Sequence, residues 1–275
     1  MSKILVIGAA GKTGRRVKER LENLNIEVRP GSRTAQIPFD WQKPETWAKA
    51  LEGISKVYIT FQPDLAVPTA RATIEQFVAQ AKKAGVNKLV LLSGRGEKEA
   101  ELCEQEVIRS GIDFSIVRAS WFMQNFSENF LAEGILQGEL VVPEVKALEP
   151  FVDAEDIADV VVECLLNSSH SDKTYSLTGS ELLSFRQCVA LISGVTNQNI
   201  AYTEIPLSDY LNGMQQEGYP EDVIWLVGYL FTEVLDGRNE FLTSDIENVL
   251  GRKPRSFKEY AAATAASGAW NTVEA

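Results

Sequence analysis

The chain holds a single histidine, His170, set in the polar stretch 167–172. A histidine-built metal site needs several imidazole or thiolate ligands, and a Ser-His-Asp triad needs one ordered imidazole beside its serine. Neither fits this sequence. Cysteine is equally scarce. Cys103, Cys164 and Cys188 lie far apart with no C-x-x-C, which fits reduced thiols in a cytoplasmic protein better than a disulfide framework or a metal site. No run approaches the roughly 20 apolar residues of a membrane span. The first strand begins within a few residues of Met1, so no signal peptide is expected. Basic residues are in deficit: 27 Lys and Arg against 38 Asp and Glu give a net charge of −11. A protein that neutralises a phosphate backbone needs the opposite field, so general nucleic-acid binding is excluded. No internal repeat or low-complexity segment interrupts the chain. What remains is 275 residues, 45% of them hydrophobic, enough to bury one large domain or two unequal ones. Composition leaves the oligomeric state open.

The most informative segment is residues 3–14, an apolar strand running into a turn with glycines at 8, 11 and 14. A turn of this kind presents backbone N–H groups at a helix amino end, where the helix dipole favours a phosphate. Glycine removes the Cβ that would hold a pyrophosphate away. The required context is present, an apolar strand before and an amphipathic helix over residues 15–24 after. A dinucleotide cofactor is the expected ligand, with Gly8, Gly11, Lys12, Thr13 and Gly14 around its pyrophosphate. Residues 26–29 read as the second strand, followed by Pro30, Gly31, Ser32 and Arg33. NAD-specific sites place an acid at this strand end; an arginine there accommodates the 2′-phosphate of NADP. Glu27 falls mid-strand and Arg33 falls in the loop, so NADP(H) is expected over NAD(H), with Ser32 and Arg33 on the 2′-phosphate and Lys12 as a second positive charge; the plainer alternative is that Arg29 and Arg33 are solvated loop charges.

Strands and helices then alternate. Strands are expected at 37–40, 56–61, 88–93 and 114–118, and helices at 45–51, 69–84 and 97–109. Continuous apolar strands with helical crossovers imply a parallel sheet covered on both faces, a doubly wound α/β fold. Beyond residue 120 the rhythm changes. Short strands are expected at 140–142 and 151–152, a helix at 154–166 capped by Asp153, and a last strand of the main sheet at 174–178. Helices over 184–194, 207–217, 220–235 and 256–266 form a smaller, mostly helical subdomain. The expected partition is residues 1–178, with an excursion near 134–150, and residues 179–275. Ligands of open α/β sheets bind outside the carboxyl ends of the strands. Thr60, Phe61, Gln62, Ser93 and Gly94 stand at those ends and are expected beside the ribose and nicotinamide, in a cleft under the smaller subdomain.

With these residues in view, the chain resembles the NmrA-like branch of the atypical short-chain dehydrogenase/reductases. The matching stretches are residues 8–14, 31–33, 39–41, 110–118, 121–126, 151–158 and 250–257, in family order and over nearly the whole length. The resemblance implies a Rossmann domain with a small C-terminal substrate domain and, usually, NADP(H). It also implies one of two roles. Some members reduce quinones, imines or enals; others sense the dinucleotide without turning it over.

One departure narrows the chemistry. Typical short-chain dehydrogenases carry Tyr-x-x-x-Lys on the helix after the strand at 88–93, where the lysine lowers the tyrosine pKa for proton transfer. Here residues 97–109 contain no tyrosine, and their only lysine is Lys98 at the start. The acidic run Glu97, Glu99, Glu101, Glu104 and Glu106 reads as a solvated helix face. The expected activity is hydride transfer to a small, flat acceptor such as a quinone, an imine or iminium, or an enal. Ser93 is the one hydroxyl near the reacting ring. Trp121, Phe122, Phe126 and Tyr229 are the expected substrate contacts, each weighed against a place in the core. The alternative is a redox-sensing regulator acting through protein partners.

Overall fold

The computed structural model describes residues 3–128 and 130–271. Its elements run β1 (Ile4–Ile7), α1 (Lys12–Asn23), β2 (Val28–Gly31), α2 (Trp47–Leu51), β3 (Lys56–Ile59), α3 (Ala70–Lys83), β4 (Lys88–Gly94), α4 (Lys98–Arg109) and β5 (Asp113–Ala119). They continue with α5 (Asn125–Glu128), α6 (Phe130–Gln137), β6 (Glu139–Pro143), α7 (Ala154–Leu166), β7 (Lys173–Leu177), α8 (Phe185–Thr196), β8 (Ala201–Ile205), α9 (Leu207–Gln216), α10 (Glu221–Tyr229), α11 (Asp245–Leu250) and α12 (Phe257–Ala266). They fall into two units. One takes the chain to Ala119, Ala154–Leu177 and Asp245–Arg252; the other takes Ser120–Asp153, Thr178–Ser244 and the chain from Lys253 on.

The first unit is a parallel sheet in the order β2-β1-β3-β4-β5-β7. The chain steps from β1 outward to β2, then returns to lay β3 on the other side of β1. This reversal is the topological switch point, and right-handed crossovers put the helices before and after it on opposite faces. Strand alternation divides the core accordingly. Leu5, Ile7, Val57, Ile59, Leu89 and Leu91 pack with Ile74 and Phe77 of α3 and Cys103 and Val107 of α4. Ile4, Val6, Tyr58 and Val90 alternate to the other face and are buried, as are Val17 and Leu21 of α1. That helix is tied to α7 by charge: Arg20 pairs with Glu155 and Asp159, and Arg252 pairs with Asp156 and Asp159.

The second unit has its own core, built on aromatic rings. Phe126 contacts Phe151, Phe185 and Phe257 at centroid distances of 5.5, 5.9 and 5.3 Å. The Trp270 indole N–H donates to the Phe126 carbonyl at 2.9 Å. Capping boxes start α8 at Ser184 and α12 at Ser256, each satisfying amino-end N–H groups that a helix leaves open. β6 and β8 form a two-stranded parallel sheet.

Several expected elements differ. The second strand lies two residues later than expected, because Gly31 still belongs to the ladder with Ile7. Residues 37–40 form no strand: Pro38 lacks an N–H for pairing, the Phe39 N–H donates to the Ser32 carbonyl, and the Trp47 indole holds the Asp40 carbonyl. Residues 151–152 supply only one isolated bridge, Phe122 to Val152. The helix expected over 220–235 is α10 followed by a π-turn at Leu230–Val234. The unit boundary also moves from the expected one. The excursion spans Ser120–Asp153, and Asp245–Arg252 returns to the first unit, where Asp245 accepts the Ser176 N–H of β7.

Phe126 is fully buried in this ring cluster. Phe126→Ala is expected to destabilise the protein by about 3–5 kcal/mol, the range for deleting a core phenyl ring, read from urea unfolding followed by tryptophan fluorescence.

Candidate functional site

The glycine turn sits at the switch point and is fixed by backbone contacts. Gly8 has φ +70°, and a Cβ there would meet Thr60 Oγ1 at 2.3 Å. Gly8 N–H donates to the Gly31 carbonyl at 2.8 Å, joining the turn to the end of β2, and Gly11 N–H donates to the Gly8 carbonyl at 2.7 Å. Of the three turn glycines Gly14 lies closest: a Cβ there would fall 2.1 Å from the Gly8 oxygen. The first turn of α1 can therefore rest on the strand end only if residue 14 has no side chain. No side chain caps α1, and its first turn contains no acid. Gly11, its N-cap, has φ −82° and ψ 177°, an extended backbone without strain, and a Cβ there would lie 3.2 Å from the Gly8 oxygen. A helix of this length with an uncapped amino end is a fitting seat for a phosphate.

Around this turn the expected contacts fall into two groups. Thr13 is buried and accepts a hydrogen bond from the Tyr58 hydroxyl at 2.9 Å, so it anchors the turn from below. Burial holds the Tyr58 phenol well above its ordinary pKa. Lys12 is half-buried, and its carbonyl accepts from Arg16. Ser32 is half-buried and Arg33 exposed, directly after β2. Arg29 is spoken for, because its guanidinium donates to the carbonyls of Lys49, Ala50 and Glu52 at the carboxyl end of α2. Thr60 donates to the Ile7 carbonyl at 3.1 Å, and its own carbonyl accepts the Trp41 indole N–H at 2.9 Å. Phe61 is half-buried with its ring 5.0 Å from Trp41, and Gln62 is exposed.

Two expected residues are corrected. Ser93 is buried, and its hydroxyl donates to Glu104 Oε1 at 2.7 Å. Glu104, 1% exposed, also receives Arg118 through Nε at 2.9 Å and Nη2 at 2.6 Å. The hydroxyl is thus committed to the α4 face of the sheet and is not an open group at a reacting ring. Phe126 is core and lines no surface. Trp121 is 8% exposed between Phe185 and Phe231. Phe122 and Tyr229 are half-buried, and Tyr229 stacks on the exposed Trp225 at 5.4 Å.

The sequence reading also passed over an acid pair. Glu104 and Glu97 are both buried, so the acidic run is not one solvated face. Glu97 lies against Asp64, which follows β3. The two are 33 positions apart in sequence, and only the adjacency of β3 and β4 joins them. Gly94 is the one local signal, since a Cβ there would lie 2.0 Å from Glu97 Oε1. Among the described residues no group of His, Cys, Asp and Glu could hold a metal, and no helix is long and apolar enough to cross a membrane. The three cysteines are free and buried.

Gly14→Ala tests the turn. Alanine normally stabilises a helix interior by up to about 1 kcal/mol over glycine. Here the clash should reverse that sign and cost about 1–3 kcal/mol, the scale of overpacking. Thermal unfolding is expected to rank the parent and Gly11→Ala together, with Gly14→Ala below both.

Comparison with known proteins places this architecture. The model of the NmrA-like family matches residues 37–263. Prestalk A differentiation protein A of Dictyostelium discoideum is 28% identical, over 95% of this chain and 92% of that protein. An NAD(P)H azoreductase of Xenophilus azovorans is 27% identical, over 96% of this chain and 98% of its own. Among solved structures, an NADPH-dependent quinone oxidoreductase from Escherichia coli, complexed with NADPH, superposes with a TM-score of 0.79 at 17% identity. It covers 96% of this chain and 100% of that one.

Proposed function

This chain belongs to the NmrA-like family, and on that premise we infer that it is an NAD(P)H-dependent reductase. We propose further that it prefers NADP(H) and acts on a small, flat acceptor of the quinone, imine or iminium, or enal type. The observation that carries the reading is the uncapped amino end of α1 over the Gly8–Gly14 contact, with Arg33 exposed just beyond the end of β2. The azoreductase relative supports a nicotinamide-dependent reduction, and the NADPH-bound structural neighbour supports the phosphorylated cofactor.

In this reading the Gly8–Gly14 turn and the first backbone N–H groups of α1 hold the pyrophosphate, with Lys12 adding charge. Arg33 grips the 2′-phosphate through two parallel hydrogen bonds, with Ser32 beside it. Thr60, Phe61, Gln62 and Gly94 stand at the ribose and nicotinamide. Trp121, Phe122 and Tyr229 are our proposal for contacts to a flat acceptor. The bound cofactor supplies the hydride, while the protein binds, orients and excludes water. α4 lacks the Tyr-x-x-x-Lys pair, so a ketone–alcohol exchange through that pair is not available to this chain.

Arg33→Ala is expected to weaken NADPH binding by about 1.5–3 kcal/mol, the range for hydrogen bonds to a charged group, and to leave NADH nearly unchanged. Calorimetric titration of both cofactors checks it, and equal losses would show that Arg33 does not read the phosphate. Turnover is tested with NADPH against a panel of quinones, azo dyes, enals and imines. Tight binding with no turnover across that panel would favour a dinucleotide sensor.

A further inference from the structure

Asp64 and Glu97 come from two loops at the same edge of the sheet. Asp64 lies five residues past β3, and Glu97 lies three residues past β4. These strands are neighbours, and β3 borders the switch point, so both acids stand at the carboxyl edge where such sheets bind ligands. The two carboxyls lie against each other, and two ionised carboxylates at such close quarters repel, which favours a proton on one of them. The local donors decide which. Asp64 accepts the backbone N–H of Ala66 at 2.8 Å and that of Leu65, contacts that favour its charged form. Glu97 is 6% exposed, and its Oε2 is buried with no hydrogen-bond partner among the described residues. A buried, unpartnered oxygen is rare in native proteins and costs free energy unless something else meets it. Gly94 leaves the space into which this carboxyl is set.

We propose that Asp64 and Glu97 share one proton at neutral pH, and that Glu97 delivers it to the acceptor; this deepens, and rests on, the reductase reading. Hydride addition to a quinone or azo acceptor leaves a negative charge on oxygen or nitrogen. The Glu97 O–H bond breaks, an acceptor O–H or N–H bond forms, and the pair is left doubly charged until solvent returns one proton. An iminium acceptor becomes neutral on hydride addition and needs no proton. The pair therefore takes the place of the absent tyrosine and lysine for the first class of acceptor only.

The surroundings favour the proton on Glu97. Burial, and then the Asp64 carboxylate, push its carboxyl well above the usual range, and Glu99 and Glu104 of α4 add to this. Asp64 is raised as well, by burial, but its backbone donors oppose the shift. The other titratable or charged groups nearby are Cys103, whose thiol donates to the Leu65 carbonyl at 3.7 Å, Arg71 on α3, and the buried Arg95 in the loop after β4.

The test combines a spectroscopic and a kinetic readout on the full chain. Infrared spectra of cofactor-free protein carrying carboxyl-labelled glutamate are expected to show a protonated carboxylic acid at pH 7, near neutrality and well above the ordinary glutamate value of about 4.3. This band is absent in Glu97→Gln. With NADPH, Glu97→Gln is expected to slow benzoquinone reduction about 10²–10⁴-fold, the range for losing a proton donor. Reduction of an N-methyl iminium salt and NADPH affinity should not change. Asp64→Asn removes the negative neighbour, so Glu97 ionises more readily and the alkaline fall in benzoquinone turnover moves to lower pH. A parent protein with no protonated band overturns the proposal. So does an equal loss on both acceptors in Glu97→Gln. A parent that shows the band and binds NADPH but reduces neither acceptor overturns the reductase reading and the donor role with it, leaving only the shared proton.

Discussion

The contact between Gly14 and the Gly8 carbonyl is the constraint from which the site is built. A methyl group at residue 14 would sit 2.1 Å from that oxygen, far inside van der Waals range. The absence of a side chain lets α1 begin directly on the end of β1, so its open N–H groups face the switch point. Gly31 repeats the device from the neighbouring strand, where a Cβ would lie 3.0 Å from the Ile7 Cα. The amino end of the helix and the end of β2 are thereby both brought against the carboxyl end of β1. The charge preference of the site follows from the helix dipole, and the position of Ser32 and Arg33 follows from where the ladder stops.

The chain's excess of acid is managed by burial as well as by solvation. Glu104 is buried against Arg118 and Ser93, and Asp156, also buried, is paired with Arg252. Removing either arginine would leave a buried carboxylate without its cation, so these contacts help hold α4 to β5 and the residues just past α11 to α7. Glu97 is the exception in kind. Its partner, the half-buried Asp64, is another acid, which stabilises a proton rather than a cation. A fold that sets Glu104 and Asp156 against arginines and leaves another acid pair to share a proton has separated two uses of the same residue type.

Much of this was legible in the sequence because it depends on local pattern. The strands at 56–59, 88–94 and 113–119 are runs of apolar residues, and the glycine turn is set by three residues within seven positions. The failures share a cause. Residues 37–40 carry the apolar content of a strand, yet their backbone is held by a tryptophan indole and a serine carbonyl, partners that periodicity does not reveal. β8 is mostly exposed and pairs with β6 across 62 positions, so no buried face marked it. Phe126 follows a strand end exactly as a ligand contact would, and only the ring cluster from four segments puts it in the core.

Ser93 and Glu97 show the same limit at the level of chemistry. Both stand near the end of β4, and sequence favours the serine, because a hydroxyl is a familiar group at that position. Side-chain alternation turns Ser93 onto the face occupied by α4, where its hydroxyl donates to Glu104. Glu97 lies beyond the last strand residue, in a loop where alternation no longer applies, and its direction is set by the missing side chain of Gly94. Proton-transfer capacity at this edge therefore rests on a loop residue and a glycine rather than on the strand itself.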